Sequence, residues 1–116
     1  MIAEDVNFAN GEIRLTGTLY RPTGTGPFPV MVVLHAATGG TRHYPFYQHL
    51  KTVLPANGCA VLIFDRRGSG ESTGNFATAS FDDLATDGLA AFGYLLTRDD
   101  VDHKRIGLYG ISQGAW

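Results

Sequence analysis

The chain has 116 residues, 44% of them hydrophobic and 17% charged, which suits one small domain or part of a larger one and excludes a disordered chain. Its formal net charge of -2, with no basic run, offers no footing for nucleic acid or an anionic membrane surface. Cys59 is the sole cysteine, so there is neither an intramolecular disulfide nor a metal-ligand spacing, and no metal or organic cofactor is expected.

The opening "MIAEDVNFANGE" lacks the basic and apolar regions of a signal peptide, and no apolar run approaches the ~20 residues of a membrane span. The chain as given therefore reads as soluble and cytoplasmic, unless an export signal has been removed. Residues 6–9 and 12–20 alternate apolar and polar around Asn10-Gly11, which predicts a hairpin. A Gly/Pro-rich loop, Pro22 to Pro29, leads into "VMVVLH", an apolar run suited to a strand buried on both faces. After the loop "AATGGTRHYP", "FYQHLKTVLPANG" has helical spacing, with Phe46, Leu50, Val53 and Leu54 on one side and Asn57-Gly58 as its stop. "CAVLIFD" predicts a second buried strand, with Cys59 as a small buried residue. The turn-rich "RRGSGESTG" follows. The strongest helix signal is "SFDDLATDGLAAFGYLLTR": Ser80 is its cap, Asp82 and Asp83 fill its first turn, and Leu84, Leu89, Phe92, Leu95 and Leu96 form its apolar face. "DDVDHK" reads as a loop and "RIGLYG" as a third short strand. Strands alternating with helices after a hairpin predict an α/β fold with a parallel sheet covered on both faces.

Chemistry concentrates at the end of that order. Gly110-Ile111-Ser112-Gln113-Gly114 directly follows a predicted strand. That is the context of a nucleophile elbow, in which flanking glycines permit a sharp strand-to-helix turn and the serine hydroxyl projects from the carboxyl edge of the sheet. Acyl transfer through Ser112 needs N–H donors aimed at the developing oxyanion. The residue after the nucleophile, Gln113, supplies one; the loop "LHAATGG" after the first buried strand supplies the other, with Ala37 or Ala36 as candidate and Ala37 preferred. His35 reads as a structural residue at the strand end. Tyr44, Phe46 and Tyr47 read as packing residues at a helix start rather than pocket walls. "FDRRGSGESTG" fails as a dinucleotide fingerprint because Gly74 comes one place late, and no Gly-Lys-Ser/Thr makes it a P-loop.

Together these segments resemble the α/β-hydrolase superfamily, in its dienelactone-hydrolase and serine-peptidase-like esterase branch. "PVMVVLHAATGG" is similar to the strand and His-Gly-x-x-Gly oxyanion loop, "FDRRGSGESTG" to the Asp-x-Arg-Gly-x-Gly-x-Ser loop, and "VDHKRIGLYGISQGAW" to the approach to the elbow. Ala36 departs from the usual glycine of the oxyanion loop, and Ala115 from a second glycine after the elbow. The resemblance implies a serine hydrolase of carboxylic esters or peptide and amide bonds, working through an acyl-Ser112 intermediate on a small-molecule ester or peptide.

The triad of this superfamily runs serine, acid, histidine in chain order, and only Gln113, Gly114, Ala115 and Trp116 follow Ser112. Upstream, His103 is expected at the opposite end of the sheet, about one strand length or ~17 Å away; His43 and His49 are expected to be solvated or packing residues. Residues 1–116 are thus expected to form an incomplete N-terminal portion of the hydrolase domain, cut after the elbow and inactive alone. Its last strand would be an open edge through which copies can associate. The rival expectation is a non-catalytic α/β module that acts in binding or assembly; transferase and lactonase chemistry remain open alongside hydrolysis.

Overall fold

A computed structural model of the chain describes residues 1–34, 47–75 and 80–110. Its elements, in order, are β1 (Ile2–Asn10), β2 (Ile13–Arg21), β3 (Phe28–Leu34), α1 (Gln48–Ala56), β4 (Ala60–Phe64), α2 (Phe81–Leu95) and β5 (Val101–Gly110). The strands form one 5-stranded sheet in the order β1-β2-β4-β3-β5. β1 and β2 are the expected antiparallel hairpin, turning at Gly11 with φ 61°. β2 joins β4 antiparallel, whereas β3 pairs in parallel with both β4 and β5.

Alternation along the strands divides the core into two layers. Val30, Val32, Ala60, Leu62 and Phe64 face α2 and pack with Val6, Phe8, Leu15, Leu19, Ala91 and Leu95. Val33, Val61 and Ile63 face the other way, with Tyr20, Tyr47 and Leu50 beneath α1. β3 and β4 are apolar on consecutive residues because both of their faces are covered. The expected α/β sheet with a helix on each face is the fold found.

Gly17 allows β2 to approach β4 closely: a Cβ there would lie 2.8 Å from the Ile63 carbonyl oxygen and 2.8 Å from the Phe64 Cβ. α2 begins with a full capping box. The Ser80 hydroxyl accepts from the Asp83 N–H at 3.1 Å, and the Asp83 carboxylate accepts from the Ser80 N–H at 3.0 Å.

Four local expectations are corrected. The segment read as a loop, Val101 to Lys104, is the start of β5, where Val101 pairs with Phe28. Its polar residues hid the strand; on an edge strand they stay in solvent, where the Asp102 carboxylate receives the Lys104 N–H and the Arg105 Nε. On α2, Leu89, Phe92 and Leu96 are exposed, and the row that meets the sheet is Asp87, Ala91 and Leu95. The row turns that way because the Asp87 carboxylate is gripped by Arg67. Val53 of α1 is exposed rather than part of its apolar face. Cys59 precedes β4 half-buried, and burial pushes its thiol pKa up.

Candidate active site

Parallel pairing brings the carboxyl ends of β3, β4 and β5 to one edge of the sheet. Leu34, the last residue of β3, is the register partner of Gly110, the last of β5. The loop that starts at His35 and the segment that starts at Ile111 therefore leave from adjacent strand ends. Ala36, Ala37, Ser112 and Gln113 themselves lie outside the described residues, as do His35, His43, Tyr44 and Phe46. What the fold supplies is the common origin of their two segments. It is the geometry that lets one segment carry a nucleophile and the other an N–H donor to the same carbonyl.

The third segment at this edge, residues 65–75 after β4, is described in detail. The Asp65 N–H donates to the Thr16 carbonyl at 2.8 Å, so the chain leaves β4 still tied to β2. The buried Ser72 hydroxyl donates to the Asp65 carbonyl at 2.6 Å and accepts from the Thr16 N–H at 3.0 Å. The Asp65 carboxylate accepts from the Glu71 N–H at 3.0 Å. Gly70, at φ 52°, lies over that carboxylate so closely that a Cβ would overlap it. These bonds fold the loop back on the β1–β2 hairpin rather than around a phosphate. The pattern Asp-x-Arg-Gly-x-Gly-x-Ser is thus a set of turn and hydrogen-bond requirements.

The two arginines of this loop have different surroundings. Arg67 turns toward α2 and grips Asp87, with Nε 2.7 Å from Oδ2 and Nη2 2.8 Å from Oδ1. Asn10 donates to the same carboxylate at 2.8 Å, so β1, the loop and α2 converge on one buried acid. Arg66 is buried near Tyr47, and desolvation lowers its pKa from the ordinary guanidinium value. Sequence reading passed over both roles. No local pattern pairs Arg67 with Asp87, 20 residues away in the chain.

The histidines divide as their elements dictate. His103 lies within β5 rather than before it, near the amino end and far along the strand from Gly110, with Nε2 2.9 Å from the Arg98 carbonyl oxygen. His49 is exposed on α1. Tyr47, at the start of α1, is buried in the core as a packing residue. A shallow cleft lined by Met1, Pro22, Thr23, Thr52, Pro55 and Ala56 opens at the amino edge, away from the candidate site. Among the described residues, no three His, Cys, Asp or Glu side chains converge into a metal-binding group. No helix among them is long and apolar enough to cross a membrane.

Comparison with known proteins agrees with this frame. The chain is 32% identical over 111 residues to the quorum-quenching protein AidA of Acinetobacter baumannii, covering 95% of this chain and 36% of AidA. It is 33% identical over 112 residues to acyl-coenzyme A thioesterase 5 of Mus musculus, covering 90% of this chain and 23% of that protein. The ferulic-acid complex of Est1E from Butyrivibrio proteoclasticus superposes with a TM-score of 0.83 at 26% identity, over 94% of this chain and 43% of Est1E. The Pyrococcus furiosus esterase Pf2001 superposes with a TM-score of 0.79 at 27% identity, over 98% of this chain and 44% of the esterase. The chain thus spans well under half the length of these relatives. The family model described as "Serine aminopeptidase, S33" matches residues 27–116, from the threshold of β3 through the elbow motif, and the chain belongs to that family of α/β hydrolases.

Proposed function

We propose that residues 1–116 are the nucleophile-bearing N-terminal portion of a serine hydrolase domain that cleaves carboxylic esters or peptide and amide bonds. The observation that carries this is the register pairing of Leu34 with Gly110, which starts the oxyanion-loop segment and the Gly-x-Ser-x-Gly segment side by side. The family match and the esterase neighbours favour this reading over a non-catalytic assembly module.

In the proposed reaction, the Ser112 Oγ bonds to the substrate carbonyl carbon. Its proton passes to a histidine contributed by chain beyond Trp116, and an acid from the same region orients that histidine. The Ala37 and Gln113 N–H groups hold the oxyanion. The intermediate collapses with loss of the alcohol or amine, which takes the proton, and leaves an acyl-Ser112 ester that water hydrolyses. No metal or organic cofactor takes part. His103 is not the base, because it sits at the amino edge. A small acyl ester is the substrate class nearest to the esterase relatives, and ferulic acid on Est1E is a carboxylic acid of the kind that ester hydrolysis releases. Among the described residues β5 is the last strand of the sheet.

The test is hydrolysis of a p-nitrophenyl acyl ester by the protein as its gene encodes it, with and without Ser112→Ala. Loss of turnover with an unchanged circular dichroism spectrum is expected. Retained turnover in the variant sinks the nucleophile assignment.

A further inference from the structure

The triplet Ala-Asn-Gly occurs twice in the chain, as Ala9-Asn10-Gly11 and as Ala56-Asn57-Gly58. An asparagine before glycine is chemically labile, because glycine has no side chain to obstruct the approach of its own backbone nitrogen to the carboxamide carbon. The glycine nitrogen gives up its proton and bonds to that carbon, and the side-chain nitrogen takes up a proton and leaves as ammonia. Water then opens the cyclic imide at either carbonyl, and the residue becomes aspartate or its backbone-shifted isomer. The exchange consumes water, releases ammonia and oxidises nothing.

The local sequence is the same at both positions, so the fold decides where this chemistry can proceed. Asn57 caps the carboxyl end of α1 and is exposed; its side-chain amide donates to the Val53 carbonyl at 2.8 Å, and the Gly58 N–H donates to the Pro55 carbonyl at 3.2 Å. Both bonds belong to the last turn of a 9-residue helix, where helices fray. Asn10 ends β1, and its carboxamide is held from α2: Nδ2 donates to Asp87 Oδ1 at 2.8 Å and to Thr86 Oγ1 at 3.0 Å. The bond to the carboxylate is of the stronger, charge-assisted kind. Gly11 itself stands in open space at φ 61°, so the lock is on the carboxamide rather than on the glycine. Ring closure at Asn10 must turn the amide away from both acceptors.

We propose that Asn10 is a latent deamidation site, held closed by Asp87 and Thr86, whose conversion loosens residues 65–75 from α2. A carboxylate at position 10 would stand where the amide donor stood, at hydrogen-bonding distance from the Asp87 carboxylate, and the two like charges oppose each other. Arg67, already 3.8 Å from the Asp83 carboxylate, would have a further acid to neutralise. The isomer adds a backbone atom at position 10 and breaks the pairing of Asn10 with Ile13. Either product weakens the Arg67–Asp87 contact, and Arg67 belongs to the segment at the carboxyl edge of the sheet. The proposal does not depend on the role of Ser112.

Incubation of the protein, as its gene encodes it, at mildly alkaline pH tests this, with peptide mass spectrometry reading conversion at both asparagines. In the folded protein Asn57 should convert several-fold faster than Asn10; in urea the two rates should converge. Thr86→Ala, at an exposed position of α2, should speed Asn10 several-fold and leave Asn57 unchanged. Asn10→Asp, which mimics the product, should speed amide hydrogen exchange in residues 65–75 while β3 and β4 stay protected. Equal rates at Asn10 and Asn57 in the folded protein overturn the lock, as does an Asn10 rate that Thr86→Ala does not move. Unchanged exchange in residues 65–75 of Asn10→Asp, or acceleration that extends equally to β3 and β4, overturns the link to the loop.

Discussion

The guanidinium of Arg67 and the carboxylate of Asp87 meet in a two-point contact of 2.7 and 2.8 Å, with Asp87 only 2% exposed. The contact spans a loop at the candidate site and the central turn of α2, and the hydrogen bond to Asp87 raises the Arg67 pKa. Removing Arg67 strips the buried Asp87 carboxylate of its cationic partner and leaves it the Asn10 amide. Arg67→Ala should therefore cost about 3–5 kcal/mol in chemical unfolding. Replacing both with apolar residues, Arg67→Met with Asp87→Leu, should recover much of that loss. A double variant no more stable than Arg67→Ala would show that the loop needs the ionic contact itself.

Gly17 is a packing requirement rather than a turn. Its absent Cβ leaves room for the Ile63 carbonyl and the Phe64 side chain. Gly17→Ala should destabilise the protein by about 1–3 kcal/mol through separation of β2 from β4. Gly11→Asn, in the open hairpin turn at φ 61°, should be far milder. Equal losses in the two variants would contradict the close-approach explanation.

The Ser80 cap serves α2 alone. Ser80→Ala should lower stability by about 1 kcal/mol, and Ser80→Asp should restore most of it, because an aspartate accepts the same N–H. Thermal unfolding of the three proteins checks the order.

At the amino edge, Arg98 binds Glu4 at 2.9 and 3.1 Å, Asp100 at 2.9 Å and the Tyr94 hydroxyl at 2.8 Å. Its hydrogen bonds hold the Glu4 and Asp100 carboxyls below their ordinary pKa values, and Arg21 adds to the effect. Depressed carboxylates stabilise the fold above their unfolded pKa, about 4, and that stability is lost as pH falls through the lower folded values. Unfolding free energy should therefore decline below about pH 4. In Arg98→Gln the decline in that window should be shallower and the stability at neutral pH lower. The same acid slope in both proteins would show that Arg98 does not set these pKa values.

Much of the architecture was legible because burial leaves a direct trace in residue type. β3 and β4 are apolar without alternation because both faces are covered, and the Ser80–Asp83 cap reads from spacing alone. The amino end of β5 and the buried row of α2 were not legible, for one shared reason: each depends on a partner distant in the chain. Val101 is a strand residue because Phe28 pairs with it, and Asp87 is an inward residue because Arg67 reaches it.

The sequence by itself determined the element order, the hairpin and the helix cap, all written in local patterns of polarity and turn residues. Only the tertiary structure decided which strand ends are neighbours. β3 and β5 are separated in the chain by two helices and β4, yet Leu34 and Gly110 are register partners. That adjacency comes from parallel hydrogen bonding and the handedness of two crossovers, which no short stretch of residues can express.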